Sequence, residues 1–287
     1  VDLVHSLAST SPAFGRFGRV VTVHDLIYLV YPEAHRGVLS LGMRMLVPLG
    51  VRRADRVIAI SRSTRDDLVT RLGVPPEKID VVPNGVGTRR GNASDEAALR
   101  VRMALGDRRV ALSVSAKRPH KNLMRLLEAL SHMEASRRPV LVLPGYPTPH
   151  EDELKARASD LGLHGDVRFP AWVSADDLEG LYELAACFVF PSLYEGFGLP
   201  VLEAMARGVP VACSDRGSLR EVAGSAALVF DPEDPRDIAA AILRLLEDPA
   251  EASRLRRAGR ERARRFSWSQ TARGVLDTYE RVLRPGS

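Results

Sequence analysis

The feature that most constrains this chain is the alternation, from one end to the other, of short uninterrupted apolar runs with amphipathic stretches. The runs are Leu3-Val4-His5, Val20-Val21-Thr22-Val23, Val57-Ile58-Ala59-Ile60, Val81-Val82, Ala111-Leu112-Ser113-Val114, Val140-Leu141-Val142-Leu143, Val167-Arg168-Phe169, Cys187-Phe188-Val189-Phe190, Val209-Pro210-Val211-Ala212 and Leu228-Val229-Phe230. Side chains that are apolar at consecutive positions suit strands covered on both faces, as in a parallel sheet flanked by helices. Helical spacing fills the intervals, for example from Asn122 to Met133, Asp176 to Ala186 and Asp237 to Glu247. Strand and helix in strict alternation predict an α/β protein, doubly wound.

At 287 residues the chain has room for two domains with a core each. A break is expected after Pro83-Asn84-Gly85, where Gly87, Arg89, Arg90, Gly91 and Asn92 follow without periodicity. Six strand candidates lie beyond the break, enough for one complete Rossmann-like unit, against about four before it. The first domain is therefore expected to be incomplete at its start and to occupy residues 1–100, with the second at 101–265. Residues 266–287 read as a separate terminal helix, capped by Ser267.

Composition excludes several classes. Apolar residues make up 45% and charged ones 27%, which rules out intrinsic disorder. The net charge of +5 is too small to imply nucleic acid. Two cysteines, Cys187 and Cys213, both in apolar runs, exclude a disulfide framework and a cysteine-based zinc site, and fit a reducing cytoplasm. No run approaches the length of a membrane span, and no signal peptide is visible. Seven arginines crowd into Arg254–Arg265; a solvated helix face is the expected reading, and contact with an anionic membrane or an acidic polymer the competing one. The sequon Asn92-Ala93-Ser94 is read as chance.

Signatures of dinucleotide oxidoreductases, P-loop enzymes, zincins and serine esterases are absent. What stands out is the stretch from Phe190 to Ala206, which carries Glu195-Gly196-Phe197-Gly198-Leu199-Pro200 and then Glu203. A buried strand ends at Phe190 and a helix is expected to start near Pro200. Gly196 and Gly198 then leave backbone N–H groups open to a ligand beside a helix N-terminus, an arrangement suited to a diphosphate. Glu195 and Glu203 are carboxylates able to accept from paired hydroxyls, although an acidic residue in a first helical turn, as Glu203 is read here, also stabilises the helix unaided. Arg118 and Lys121 sit between a strand and a helix beginning near Asn122 and make a second anion site, or else an ordinary solvated turn.

These motifs resemble the retaining GT-B glycosyltransferases of family four. The resemblance rests on Glu195 and Glu203 with seven residues between them, and on Thr22-Val23-His24-Asp25, Ala59-Ile60-Ser61 and Val82-Pro83-Asn84-Gly85-Val86. Arg118-Pro119-His120-Lys121-Asn122-Leu123 and Phe266-Ser267-Trp268 extend it over almost the whole chain. It implies two Rossmann-like domains of GT-B type, with the helix from Phe266 crossing back to the first. It further implies that Glu195 holds hydroxyls of a donor sugar, Glu203 the ribose, and the loop Gly196, Phe197, Gly198 and Leu199 the sugar and distal phosphate. The segment through Phe169 to Trp172-Val173 resembles a base-holding loop, with Trp172 equally readable as core. His24 is the expected catalytic contact near the reacting carbon, with Asp25 as a candidate for locking its ring. The family often has Gly-Arg where this chain has Ser113-Val114-Ser115-Ala116-Lys117, so Lys117, Arg118 and Lys121 all compete for the phosphate, Lys121 first.

The expected activity is retaining transfer of a hexosyl group, by first preference mannosyl from GDP-mannose, to a glycan or lipid-linked acceptor. The nucleoside diphosphate sugar is the donor substrate, with no other cofactor and no metal, and peripheral membrane contact stays open. Two rivals share the architecture: a nucleotide-sugar epimerase or phosphorylase, and a nucleotide-binding chain without transfer activity.

Overall fold

A computed structural model describes residues 1–12, 14–32, 38–87 and 91–284. Residues 88–90 of the expected linker, Arg89 and Arg90 among them, lie outside the described residues. The chain divides into two compact units, one of Val1–Gly85, Tyr194–Gly198 and Phe266–Ser287, the other of Val86–Leu193 and Leu199–Arg265.

The first unit opens with β1 (Leu3–Ser6), β2 (Gly18–Val23), α1 (Ile27–Val30), α2 (Val38–Arg53), β3 (Arg56–Ala59), α3 (Arg62–Leu72) and β4 (Ile79–Val81). Its sheet is parallel throughout, in the order β1-β2-β3-β4, with Val21 opposite Val57 and Ile58 opposite Asp80. Because strand side chains alternate between faces, Val21, Val23, Val57 and Ala59 all point one way and bury against Leu26, Tyr28, Val47, Val51 and Leu68. α3 starts where the Ser61 hydroxyl accepts the Thr64 N–H at 3.0 Å and stops at Gly73 in the left-handed region.

The second unit contains α4 (Glu96–Arg102), β5 (Val110–Leu112), α5 (Leu123–Ser131), β6 (Val140–Val142), α6 (His150–Asp160), β7 (Val167–Arg168), α7 (Ala175–Leu184) and β8 (Ala185–Phe190). It continues with α8 (Leu199–Ala206), β9 (Val211–Ser214), α9 (Leu219–Ala223), β10 (Leu228–Phe230), α10 (Pro235–Glu247) and α11 (Pro249–Ala263). Six parallel strands run in the order β10-β9-β8-β5-β6-β7. That is the 3-2-1-4-5-6 order of a dinucleotide-type Rossmann sheet, with the strand order reversing between β5 and β8. One continuous core joins Ala111, Leu141, Cys187, Val189 and Ala212 of the strands to Leu126, Leu130, Ile238, Ile242 and Leu245 of the flanking helices.

The last helix, α12 (Trp268–Leu283), returns to the first unit. A reciprocal cap starts it: the Gln270 N–H donates to the Ser267 hydroxyl at 3.2 Å, and the Ser267 N–H donates to the Gln270 side chain at 3.3 Å. Val275, Tyr279 and Val282 then cover the face of the first sheet formed by Val20, Ile58 and Val82. Asp80, almost fully buried on β4, fastens this packing. Its carboxylate accepts from Arg56 Nε at 3.0 Å, from the Thr278 hydroxyl at 3.1 Å and from Arg281.

Two boundaries differ from those read in the sequence. The helix expected over Asp176–Ala186 ends at Leu184, because Ala185 pairs with Val110 and opens β8 two residues early. A domain boundary at residue 100 would cut α4, whereas the units divide at Gly85/Val86. α4 stays whole in the second unit because Leu99 is completely buried there, and Ser94, just ahead of the helix, donates its hydroxyl to Asp177 at 2.7 Å.

Replacing Asp80 by alanine removes the carboxylate that Arg56, Thr278 and Arg281 share, leaving Arg56 its bond to the Glu77 carbonyl and Thr278 its bond to the Gly274 carbonyl. Since Arg56 and Arg281 are partly exposed, the cost is set below that of a fully buried pair, at about 2 kcal/mol. Urea unfolding of Asp80→Ala is expected to show that loss, with earlier proteolytic release of α12.

Candidate functional site

Open α/β sheets place their ligands at the carboxyl edge where strand order reverses, and here the loops that leave β5 and β8 meet at that point. Both loops are the ones singled out in the sequence. They are stitched together by backbone and amide groups. Asn122 sits in the left-handed region at φ 58, a conformation that asparagine tolerates better than most residues. From there its side-chain amide donates to the Pro191 carbonyl at 3.1 Å and to the Pro232 carbonyl at 2.7 Å. The Leu193 N–H donates to the His120 carbonyl at 2.8 Å. Lys121, half-buried, is thereby carried to the end of β8, its ammonium 5.5 Å from the centre of the Phe190 ring. Arg118 is exposed on the same loop.

The third basic candidate takes a different part. Lys117 is fully buried, donates to the Gly145 carbonyl at 3.0 Å and pairs with Glu151 at 3.2 Å. Burial lowers its pKa, against the opposing pull of Glu151. Burial alone would raise the Glu151 pKa, but the ammonium groups of Lys155 and Lys117 hold it below the usual carboxylate value. The Thr148 hydroxyl donates to the Lys117 carbonyl, so this cluster ties the loop after β5 to the loop after β6 and to the start of α6. Lys117 leaves the contest for an anion; Lys121 and Arg118 remain in it.

Glu203 is the fifth residue of α8, which begins at Leu199, one residue ahead of Pro200. It therefore lies just beyond the first turn in which it was expected, and support of the helix N-terminus no longer accounts for it. Glu203 is half-buried, accepts a long 3.4 Å contact from the Tyr182 hydroxyl, and stands next to Arg207, which is paired with Glu179 at 2.8 Å. The Phe169 side chain packs against the core, leaving only its backbone for a ligand. Trp172 is 71% exposed and stacks on Tyr146 at 4.9 Å, which corrects its reading as core.

The remaining loop residues, Tyr194–Gly198, belong with the first unit. Tyr194 is buried; its hydroxyl donates to Asp67 at 2.8 Å and accepts the Leu26 N–H at 3.2 Å. Burial, with Asp67 beside it, pushes that phenol far above its ordinary range, so it stays a donor. The Thr64 hydroxyl lies 3.2 Å from the Gly196 carbonyl and 3.3 Å from the His24 carbonyl. A Cβ on Gly196 would fall 1.9 Å from the His24 carbonyl oxygen, so glycine here serves a close backbone approach rather than an opening for a ligand. Gly198, at φ 97, is required by its backbone conformation. Phe197 is buried edge-on against Phe266, 5.8 Å away, and Glu195 and Leu199 are half-buried.

His24 is exposed, and its Nε2–H donates to the Leu7 carbonyl at 2.8 Å. Asp25 does not lock the ring; its carboxylate accepts the Ile27 N–H at 3.0 Å and opens α1. The sequence reading missed Asn122, Thr64 and Tyr194 as positioning residues. The run Ser61-Arg62-Ser63-Thr64 after a strand carried a helix-cap signal for Thr64, and Asn122 just ahead of a helix carried a turn signal. Nothing local marked Tyr194.

Residues 95–262 match the family described as Glycosyl transferases group 1, and residues 1–90 the one described as Glycosyltransferase Family 4. The chain is 33% identical over 265 residues to O-antigen chain mannosyltransferase B of Escherichia coli, covering 91% of this chain and 70% of that one. It is 34% identical over 236 residues to the MMP alpha-(1->4)-mannosyltransferase of Mycolicibacterium hassiacum, covering 81% of this chain and 55% of that protein. Among solved structures, sucrose-phosphate synthase of Thermosynechococcus elongatus superposes with a TM-score of 0.79 at 26% identity, over 95% of this chain and 69% of that one. Both sheets and the paired Rossmann-like units are those of the GT-B fold.

Glu151→Gln tests the buried cluster. A carboxyl whose folded pKa lies below its unfolded value stabilises the fold above that unfolded value and loses the effect as pH falls through the folded one. Melting curves are expected to show wild type above Glu151→Gln at neutral pH, and the two converging in acid as pH falls through the depressed carboxyl's range.

Proposed function

Since this chain belongs to the group 1 glycosyl transferases, we propose that it moves a hexosyl group from a nucleoside diphosphate sugar to a hydroxyl of a glycan or lipid-linked acceptor. The observation that carries this reading is the reversal of strand order between β5 and β8, with Lys121 brought to the end of β8 by the stitched loops. A cation at that place meets the charge that develops on a departing diphosphate. Arg118 adds to it from the same loop, and the first N–H groups of α8, from Leu199 onward, supply oriented dipoles.

The other carboxylates take the hydroxyls. Glu203, half-buried at the second turn of α8, is assigned the ribose, and Glu195 the donor sugar, with the backbone of Phe197, Gly198 and Leu199 reaching sugar and phosphate, Gly196 being spent on its approach to His24. The backbone at Phe169 is assigned the base. With Nε2 already donating to Leu7, His24 has Nδ1 as its acceptor for a hydroxyl near the reacting carbon. In the transfer step the acceptor oxygen bonds to the anomeric carbon as the bond to the diphosphate breaks. The acceptor proton passes to the departing phosphate oxygen. Attack on the same face as departure retains configuration, and Glu195 positions the sugar rather than attacking it. Protein cations serve the leaving group, so a metal is not part of this reading. GDP-mannose is the first donor to test; the mannosyl group is supported by the names of the two similar mannosyltransferases, which do not specify a nucleotide.

Lys121→Ala and Glu195→Ala are each expected to lower transfer by about a hundredfold or more, with melting temperatures close to wild type. Product analysis by mass spectrometry with and without acceptor, and in EDTA, checks the class: transfer should need acceptor and survive chelation. Normal rates in both variants would overturn the site, and turnover of donor without acceptor would favour an epimerase.

A further inference from the structure

α2 presents two apolar stripes on opposite sides, where a helix lying on a sheet needs one. Val47, Val51 and Ala54, spaced by four and three, are buried against the first sheet and its neighbours. Met45, Leu46 and Leu49 point the other way and are 69%, 54% and 41% exposed. Arg52 and Arg53, seven and eight positions beyond Met45, fall on that same outer face and are exposed. Phe14, 84% exposed, joins them: the Arg53 guanidinium lies 5.5 Å from its ring centre. α2 has three arginines and no acidic residue.

The arginine run of α11 behaves otherwise. Arg254 pairs with Glu251 at 2.6 Å, Arg262 donates to the carbonyls of Val222 and Glu221, and none of the exposed large apolar side chains lies on α11. The basic run therefore follows the solvated-face reading, with part of its charge paired internally. A surface that inserts into a bilayer needs apolar groups to enter the acyl boundary and cations to meet headgroups, and α2 supplies both.

We propose that the outer face of α2, with Phe14, docks this chain onto a bilayer bearing anionic lipid headgroups. Charge decides against a second copy as the occupant, because a two-fold contact would set arginines against arginines with no acid on the helix to pair them. The inference rests on the proposed function only in that a lipid-linked acceptor gives membrane docking a use, and its test involves neither donor nor acceptor.

Co-sedimentation of the purified chain with phosphatidylcholine vesicles and with equimolar phosphatidylcholine–phosphatidylglycerol vesicles reads the surface directly. Partitioning is expected to be about tenfold or more stronger on the anionic vesicles and to fall as salt rises. Arg52→Gln with Arg53→Gln should abolish that preference. Met45→Ser with Leu46→Ser and Leu49→Ser should lower binding to both vesicles, and Phe14→Ser, on a loop and free of any folding demand on the helix, should lower it alone. Equal binding to neutral and anionic vesicles, variants that bind like wild type, or a dimer in gel filtration that the serine variants dissolve would each overturn the proposal. Thermal shift with GDP on the same preparations reports the nucleotide reading separately, so either can fail without the other.

Discussion

The carboxyl edge of the second sheet depends on how two loops are held where the strand order reverses. The Asn122 amide holds them by donating to two proline carbonyls, Pro191 and Pro232, neither of which has an N–H of its own to help order its segment. A buried carbonyl left without a donor costs about 1–3 kcal/mol, so one amide on the loop after β5 fixes the segments that follow β8 and β10. Lys121 follows immediately from this. Its neighbour Asn122 occupies the left-handed region, which turns the chain sharply and leaves the ammonium beside Phe190.

Like residues have unlike fates in the two units, and burial explains the difference. Lys117 and Lys121 are four positions apart, yet the first is committed inward to Glu151 and Gly145 while the second is half-buried beside the Phe190 ring at the end of β8. Taking an ammonium out of water is tolerable only with a carboxylate and a carbonyl in reach, and α6 supplies the carboxylate. Glu179 is likewise paired with Arg207, one helical turn from Glu203, whose carboxylate accepts a long contact from Tyr182. Asp80 does similar work in the first unit, where it collects Arg56, Thr278 and Arg281 and so seats a helix nearly two hundred residues later in the chain.

Elements of the fold were readable because burial on both faces of a parallel sheet writes consecutive apolar residues into the chain. All ten strand runs appear as strands, and the helix spacing from Asn122 and from Asp237 appears as α5 and α10. Loop chemistry was less readable. Gly196 looked like room for a ligand, and the room is taken by the His24 carbonyl. Asp25 looked like a partner for His24 and instead starts α1. Trp172 was open between a base-holding loop and the core, and its solvent exposure removes the second. In each case the deciding partner lies far along the chain or presents a backbone atom, and neither leaves a mark in residue type.

By itself the sequence determined the class of fold, the family, and the set of residue types available at the carboxyl edge: two carboxylates, a pair of glycines and a basic turn. The class of fold follows from periodicity, and the family from the resemblance of short motifs, both of which act over a few residues. Only the tertiary structure decided which lysine is spent in the interior, which glycine yields to backbone, where Asn122 and Tyr194 hold the loops, and that α2 exposes Met45, Leu46 and Leu49 opposite its buried face. Those are matters of which group lies within 3 or 4 Å of which other, and such distances are settled by packing between segments that the chain brings together from more than a hundred residues apart.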